Sequence, residues 1–310
     1  MMNSTTITTQ TTITSSLTVI QNLITQYTFT IIFIIGNFSN LANILVFLEK
    51  TLRLNAYSWY FEFVSLGHLI FLYFRCLTSI ITAWSGYDLT RTSIIYCRIR
   101  IYFLTISLLM ARYFLCFISI DRWLIIFGLS FCILFSINFP IWYQIDGSKG
   151  GIGVPNTFYP LFYTIYNLVI TIGPFFIMIL FSLLLLRNLR QGHRRQVIAR
   201  TQTNTVRLSI NAGQQFHRKD IQFIKLSFIQ VCLYILCNAF YGYNATYAFI
   251  TQSTIKTAEQ VAFNSFLSTI GLNINYLYMA ITFFLYTLVS STFRKECFLT
   301  IKRIVHYRFH

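Results

Sequence analysis

Apolar residues in this chain come in long runs separated by short polar and basic gaps. A bilayer core of about 30 Å is crossed by about 20 apolar residues of helix. Runs of that size predict spans over residues 26–48 and 58–83, then a longer run from 96 to 142, and further spans over 158–186, 221–250 and 260–289. The long run is interrupted at Asp121-Arg122 and divides there into 96–121 and 124–143. The pattern predicts an all-α membrane protein, a bundle of seven transmembrane helices over 26–289. Outside the bundle stand a Thr/Ser-rich N-terminal segment (1–25), a basic loop (187–219), and a short amphipathic helix and tail (290–310).

Composition agrees. The chain is 55% hydrophobic and 18% aromatic, with mean hydropathy +0.61. Only 10% is charged, against roughly 25% in soluble proteins. That excludes a water-soluble globule, and 32 Phe with 20 Tyr exclude intrinsic disorder.

Twenty-four Lys and Arg against eight Asp and Glu give a net charge of +16. Such an excess suits either nucleic acid or an anionic membrane face. The distribution chooses the second, with no nucleic acid as partner. Arg187, Arg190, Arg194, Arg195, Arg200, Arg207, Arg218 and Lys219 occupy one gap, and Arg294, Lys295, Lys302, Arg303 and Arg308 follow the last span. With Lys50 and Arg53 after the first span, these clusters share one side only if the number of spans is odd. The positive-inside rule then predicts an extracellular N-terminus and a cytoplasmic C-terminus, in the plasma membrane. The uncharged N-terminal segment lacks the basic start of a cleaved signal peptide, so the first span is expected to direct its own insertion. Asn3-Ser4-Thr5 becomes a candidate glycosylation site.

Among the cysteines and histidines no metal-binding spacing occurs, and no nucleophile–base pair is visible. No cofactor is implied, and an enzyme is not expected. Cys76, Cys116, Cys132, Cys232 and Cys237 lie in apolar runs as small buried hydrophobes. His68 is the one histidine in such a run. Charged groups at bilayer depth are costly and mark function. Arg122, beside Asp121 at the inner end of the third span, can reach a second acid, for which Asp220 at the start of the sixth span is the candidate.

Several motifs fall in one order. Asp121-Arg122-Trp123 resembles the Asp-Arg-Tyr motif that closes the third span of rhodopsin-like G-protein-coupled receptors. Ser39-Asn40-Leu41-Ala42-Asn43 resembles their span-one motif, and Ser65-Leu66-Gly67-His68-Leu69 their span-two motif, with His68 at the acid position. Thr282-Phe283-Phe284-Leu285-Tyr286 stands for Asn-Pro-x-x-Tyr, and Phe293-Arg294-Lys295-Glu296 resembles the opening of the eighth helix. Order and spacing from Asn40 to Glu296 are most similar to the invertebrate FMRFamide-type neuropeptide receptors. The resemblance implies a receptor for an extracellular peptide or small molecule that activates a heterotrimeric G protein on the cytoplasmic face. In the resting state Arg122 is held by Asp121 and Asp220. A ligand that prefers the open state shifts the population, the sixth span swings outward, and Tyr286 stabilises the open form. Membrane lipids are the remaining partners.

The departures carry information. Asn40, Asn43, His68 and Thr282 are expected core polar positions, and His68 replaces the acid of a sodium site, so no sodium sensitivity is expected. Phe240 stands where the sixth span normally has its kink proline. Leu104 replaces the Asp of amine receptors, and Tyr276 the retinal-binding lysine of opsins. The candidate ligand pocket comprises Arg75, Arg98, Arg100, Leu104, Tyr163, Tyr243, Tyr247 and Tyr276. Cys97 matches the cysteine that bridges to the second extracellular loop, yet no cysteine lies between Cys132 and Cys232. The stretch from Arg122 to Pro140 is short for a loop and a full span. Two other readings stay open at this point: a degenerate or incomplete receptor that does not signal, and a small membrane transporter.

Overall fold

The computed structural model describes residues 4–53, 56–117, 130, 132–137, 143–146, 150–153, 162, 165, 166, 176, 180, 207–251, 254 and 256–308. Helix α1, Ser4–Phe47, runs without a break from the Thr/Ser-rich segment through the first predicted span. Threonine is accommodated in it by bonding back one turn, as Thr25 Oγ1 to Gln21 O at 2.8 Å and Thr30 Oγ1 to Gln26 O at 2.7 Å. The short α2 (Lys50–Arg53) leads to α3 (Ala56–Phe71), a π-helical turn π1 (Leu72–Leu77) and α4 (Thr78–Ser85). The last ends at Gly86, whose φ of 69° is the left-handed cap that glycine allows. After α5 (Leu89–Thr92) comes α6 (Ile94–Phe117). The later helices are α7 (Arg207–Ile250), α8 (Ala258–Ala280), α9 (Thr282–Val289) and α10 (Ser291–Arg308).

Four described helices are long and apolar enough to cross a membrane: Ser16–Phe47, Ser58–Ser85, Ile94–Phe114 and Lys225–Ala248. A fifth crossing combines α8 and α9, bent by 50°. These correspond to the first, second, third, sixth and seventh predicted spans. Of the fourth and fifth, a short helical stretch over 132–136 and single helical positions are described, where the Tyr166 ring stacks on Phe135 and its hydroxyl donates to Phe135 O at 3.2 Å. The chain is a helical membrane bundle with one addition to the all-α expectation. Strands β1 (Tyr143–Asp146) and β2 (Gly150–Gly153) form an antiparallel hairpin, with Tyr143 opposite Gly153 and Asp146 opposite Gly150. Tyr143, read as the last residue of the fourth span, belongs to it. The glycines of Gly150-Gly151-Ile152-Gly153 disfavour helix.

The bundle is inverted relative to a soluble protein. Between positions 31 and 45 of α1 the exposed residues are Ile31, Ile34, Phe38, Leu41 and Leu45, one stripe at helical spacing. The buried ones include Ser39, Asn40 and Asn43. Lipid solvates the apolar stripe, so helix association rests on close packing and interhelical hydrogen bonds. Helix α1 packs on α3, π1, α4, α8 and α9; α3 packs on α6; α7 packs on α8. At one end Phe47, Phe61, Tyr286 and Phe293 join α1, α3, α9 and α10, with the Phe47 and Phe61 rings stacked at 5.3 Å.

Gly67 lets α3 approach α6. A Cβ there would lie 3.1 Å from the Ser107 carbonyl oxygen and 3.3 Å from Met110 Cβ. Because the first of these is backbone, the helices themselves must part. Gly67→Val is expected to destabilise the bundle by about 1–3 kcal/mol, read as a lower unfolding midpoint in detergent. Gly242→Ala, with open space around its Cβ, is the matched control and should be tolerated.

Candidate functional site: a buried polar network beneath an outer cavity

The polar residues that interrupt the apolar runs meet in the interior. Asn40 Nδ2 donates to Gly36 O at 2.8 Å and across to Met279 O on α8 at 3.1 Å. Its Oδ1 lies 3.3 Å from His68 Nδ1 on α3. One turn further along α1, Asn43 Nδ2 donates to Thr282 Oγ1 at 3.1 Å. The four predicted core polar positions therefore form one knot joining the first, second and seventh crossings. His68 is fully buried, its ring edge-on to Tyr278 at 5.8 Å.

Sequence reading placed Ser39 in the span-one motif without giving it a role. Its hydroxyl accepts the Phe283 backbone N–H at 3.0 Å, which draws that donor out of the helical ladder at the junction of α8 and α9. Thr282-Phe283 lacks the expected proline, yet the 50° bend is there. Insertion of a side chain into the ladder is a recognised cause of a kink. In α7, by contrast, Phe240 replaces the kink proline and the helix is continuous from Arg207 to Ile250.

Two further residues were not foreseen in their roles, although each is a polar interruption of an apolar run. Gln230 of α7 is fully buried. Its Nε2 donates to Tyr278 Oη at 3.2 Å and its Oε1 accepts from Tyr286 Oη at 2.7 Å. Tyr286, the expected switch residue, thus ties α9 to the sixth crossing in this conformation. Arg112 of α6 is buried, its guanidinium 5.8 Å from the centre of the Tyr234 ring. Asp121 and Arg122 lie outside the described residues. So do Asn3, Tyr163 and the side chain of Asp220, whose backbone is helical in α7.

Below Gln230 the same end is tied to the C-terminal helix. Gln222 Oε1 accepts from the Thr292 hydroxyl, and from the Thr292 backbone N–H at 3.3 Å. Glu49 accepts from Thr300 Oγ1 at 3.0 Å and pairs with Arg303. Arg294 Nη1 caps α9 by donating to Thr287 O and Leu288 O at 2.9 and 2.8 Å. The loop after the first span, the start of the sixth and the C-terminal helix therefore share one end of the bundle, as the charge pattern requires. Glu49→Gln removes a half-exposed ion pair worth about 0.5 kcal/mol. The expected result is faster amide hydrogen exchange in α10 with an unchanged global unfolding midpoint. Burial pushes the Cys297 thiol in α10 up.

At the opposite end a cavity of about 650 Å³ is lined by Arg75, Arg100, Leu104, Cys97 and Asp88 among others. Arg75 Nε donates to Tyr276 Oη at 2.9 Å, and Arg100 Nε to Phe74 O at 2.9 Å. Arg75, Arg100, Leu104 and Tyr276 of the predicted pocket are thus brought together. Arg98 is half-buried on α6 and is not part of the cavity lining. Tyr243 and Tyr247 face outward at 67% and 42% exposure; Tyr247 stacks under the Lys256 ammonium at 5.4 Å. Their placement follows from helical phase, since Asn244 faces α8 and donates to Leu267 O at 3.2 Å. Cys97 is buried and a free thiol.

A solved structure decides the architecture. The crystal structure of squid rhodopsin superposes with a TM-score of 0.72 at 14% sequence identity, over 91% of this chain and 85% of that one. The fold is that of rhodopsin. No family model matches the sequence, and no curated protein matches it. In the frame of the rhodopsin fold, α1, α3 with α4, α6, α7 and α8 with α9 are the first, second, third, sixth and seventh crossings of a multi-pass membrane protein. Neither α8 nor α9 contains a lysine.

Proposed function

We propose that this protein is a G-protein-coupled receptor of the plasma membrane, with its N-terminus outside, whose sixth crossing moves outward when an extracellular ligand binds. The observation that carries the reading is the Gln230 bridge, which joins the sixth and seventh crossings at the end opposite an open cavity. Arg75 and Tyr276 meet in the hydrogen bond beside the cavity, Tyr276 packs on Phe71 of α3, His68 one turn earlier on α3 packs on Tyr278, and Gln230 passes from Tyr278 to Tyr286. A ligand that pulls on Arg75 has a packed route to the inner end. Outward motion of α7 must break the Gln230 bonds and those of Gln222 to Thr292. The pairing of Arg122 with Asp121 and Asp220 that the motif resemblance implies would act in the same closure. With Tyr276 in place of a lysine, the ligand is held without a Schiff base; a neuropeptide is the class the motif resemblance implies. The protein is not an enzyme.

Reconstitution in lipid discs with purified heterotrimeric G proteins tests this. Basal GDP–GTP exchange above that of the G protein alone is expected, with a further increase in Gln230→Leu. Absence of exchange in both forms, across the G-protein subtypes, would overturn the proposal. It would favour the second reading, a receptor that folds and does not signal, to which the free Cys97 thiol lends support.

A further inference from the structure

We infer that the outer cavity receives an anionic oxyacid group, a carboxylate or a phosphate, between Arg75 and Arg100. The inference deepens the receptor reading, and takes from it that the cavity opens on the ligand's side of the membrane.

The lining holds two cations, Arg75 and Arg100, against one acid, Asp88. Arg75 comes from the π-helical turn and Arg100 from α6, and both line the same cavity, where their like charges repel. A π-turn inside a helix commonly marks a functional site. Among the described residues each guanidinium makes one hydrogen bond, through Nε, to Tyr276 Oη and to Phe74 O respectively. These bonds hold the planar forks in place and leave the terminal nitrogens for a ligand. A preset fork of this kind matches the two oxygens of a carboxylate or phosphate. The carboxylate in the lining is already committed: Asp88 Oδ1 accepts from Thr90 N at 2.9 Å and Thr90 Oγ1 at 2.6 Å, capping α5. Two cations against that one acid leave the lining positive. Like charges at bilayer depth are costly until an anion joins them. Leu104 and Ile101 add an apolar wall, and the volume of about 650 Å³ is that of a site for a small ligand or one end of a longer one. The chemistry selected is an acid on an apolar body; an amine would meet two guanidinium charges against the one carboxylate of Asp88.

The test uses the full chain in discs of phosphatidylcholine, with phenylpropionate as the probe, and its neutral amide and phenethylamine as matched controls. Thermal unfolding reports occupancy without any G protein. Phenylpropionate is expected to raise the unfolding midpoint, and the amide and the amine to leave it unchanged. Arg75→Gln and Arg100→Gln should each raise the concentration for half the effect by about tenfold or more, with Arg100→Lys losing less. Phosphatidylglycerol discs separate the sources: a midpoint raised without probe, and lowered again in both Gln variants, assigns the anion to a lipid headgroup. Equal protection by the amide, or better protection by the amine, overturns the inference, as does no protection by either anion. Should the variants fail to fold, the ranking of probes on the wild-type chain still decides. Nucleotide exchange measured in parallel keeps the readings apart. Protection by the acid without exchange sinks the receptor and leaves the anion site, whereas exchange without acid preference does the reverse.

Discussion

Gln230→Leu is expected to increase the open population of the bundle several-fold. The substitution removes a donor to Tyr278 and an acceptor for Tyr286 from a fully buried position. Interhelical hydrogen bonds within membranes contribute about 0.6 kcal/mol on average and up to about 1.7. Loss of two therefore shifts the equilibrium by about 1–3 kcal/mol, or roughly 5- to 150-fold. Leucine fills comparable volume, so the effect is on the bridge rather than on packing. Spin labels at the inner ends of α7 and α9 would show a longer, broader distance distribution, and basal nucleotide exchange would rise in proportion. An unchanged distribution would mean that the tyrosines find other partners and that Gln230 is structural filler. Gln230→Glu, which keeps an acceptor for Tyr286, should fall between wild type and leucine.

Asn40→Ala is expected to be the most damaging single change in the knot. It removes the donors to Gly36 O and Met279 O, and strips the fully buried His68 of its partner at Nδ1. A buried polar group left unsatisfied costs about 1–3 kcal/mol, and Asn40→Ala orphans groups on two other crossings at once. A loss of about 2–4 kcal/mol follows, a large share of the stability of any single bundle. The measurement is the unfolding midpoint and the monodisperse fraction in detergent, against Asn43→Ala. The latter breaks one bond, to Thr282, and should cost about half as much. If the two variants behave alike, the three-way junction at Asn40 is not the keystone assigned to it.

Much of this architecture was legible in the sequence because the bilayer imposes a coarse rule. A helix that satisfies its own backbone and exposes about 20 apolar residues is readable from hydropathy alone. The same rule flags the exceptions: Asn40, Asn43, His68 and Thr282 stand out because polar groups at that depth need partners. Which partners they take depends on helical phase and on which crossings are neighbours. Asn43 to Thr282 spans 239 positions, and nothing local predicts it.

The candidate site divides along the same line. Arg75, Arg100, Leu104 and Tyr276 were foreseen and do meet, since Arg75, Arg100 and Leu104 line the cavity and Tyr276 bonds to Arg75. Tyr243 and Tyr247 were placed with them on depth alone; the register of α7 turns them toward lipid. Gln230 passed unnoticed, and Ser39 was named in a motif without a role, because an amide or a hydroxyl in an apolar run has many harmless explanations until its partner is known. The bend at Thr282 makes the point most directly. Proline writes a kink into the sequence, whereas here a hydroxyl on another helix makes it, through Phe283 N–H. Composition and periodicity by themselves determined that the chain enters a membrane, how many times it is expected to cross, and which end is basic. Tertiary structure alone decided which buried polar groups satisfy one another, because in a bundle solvated by lipid that pairing depends on contacts between helices far apart in the chain.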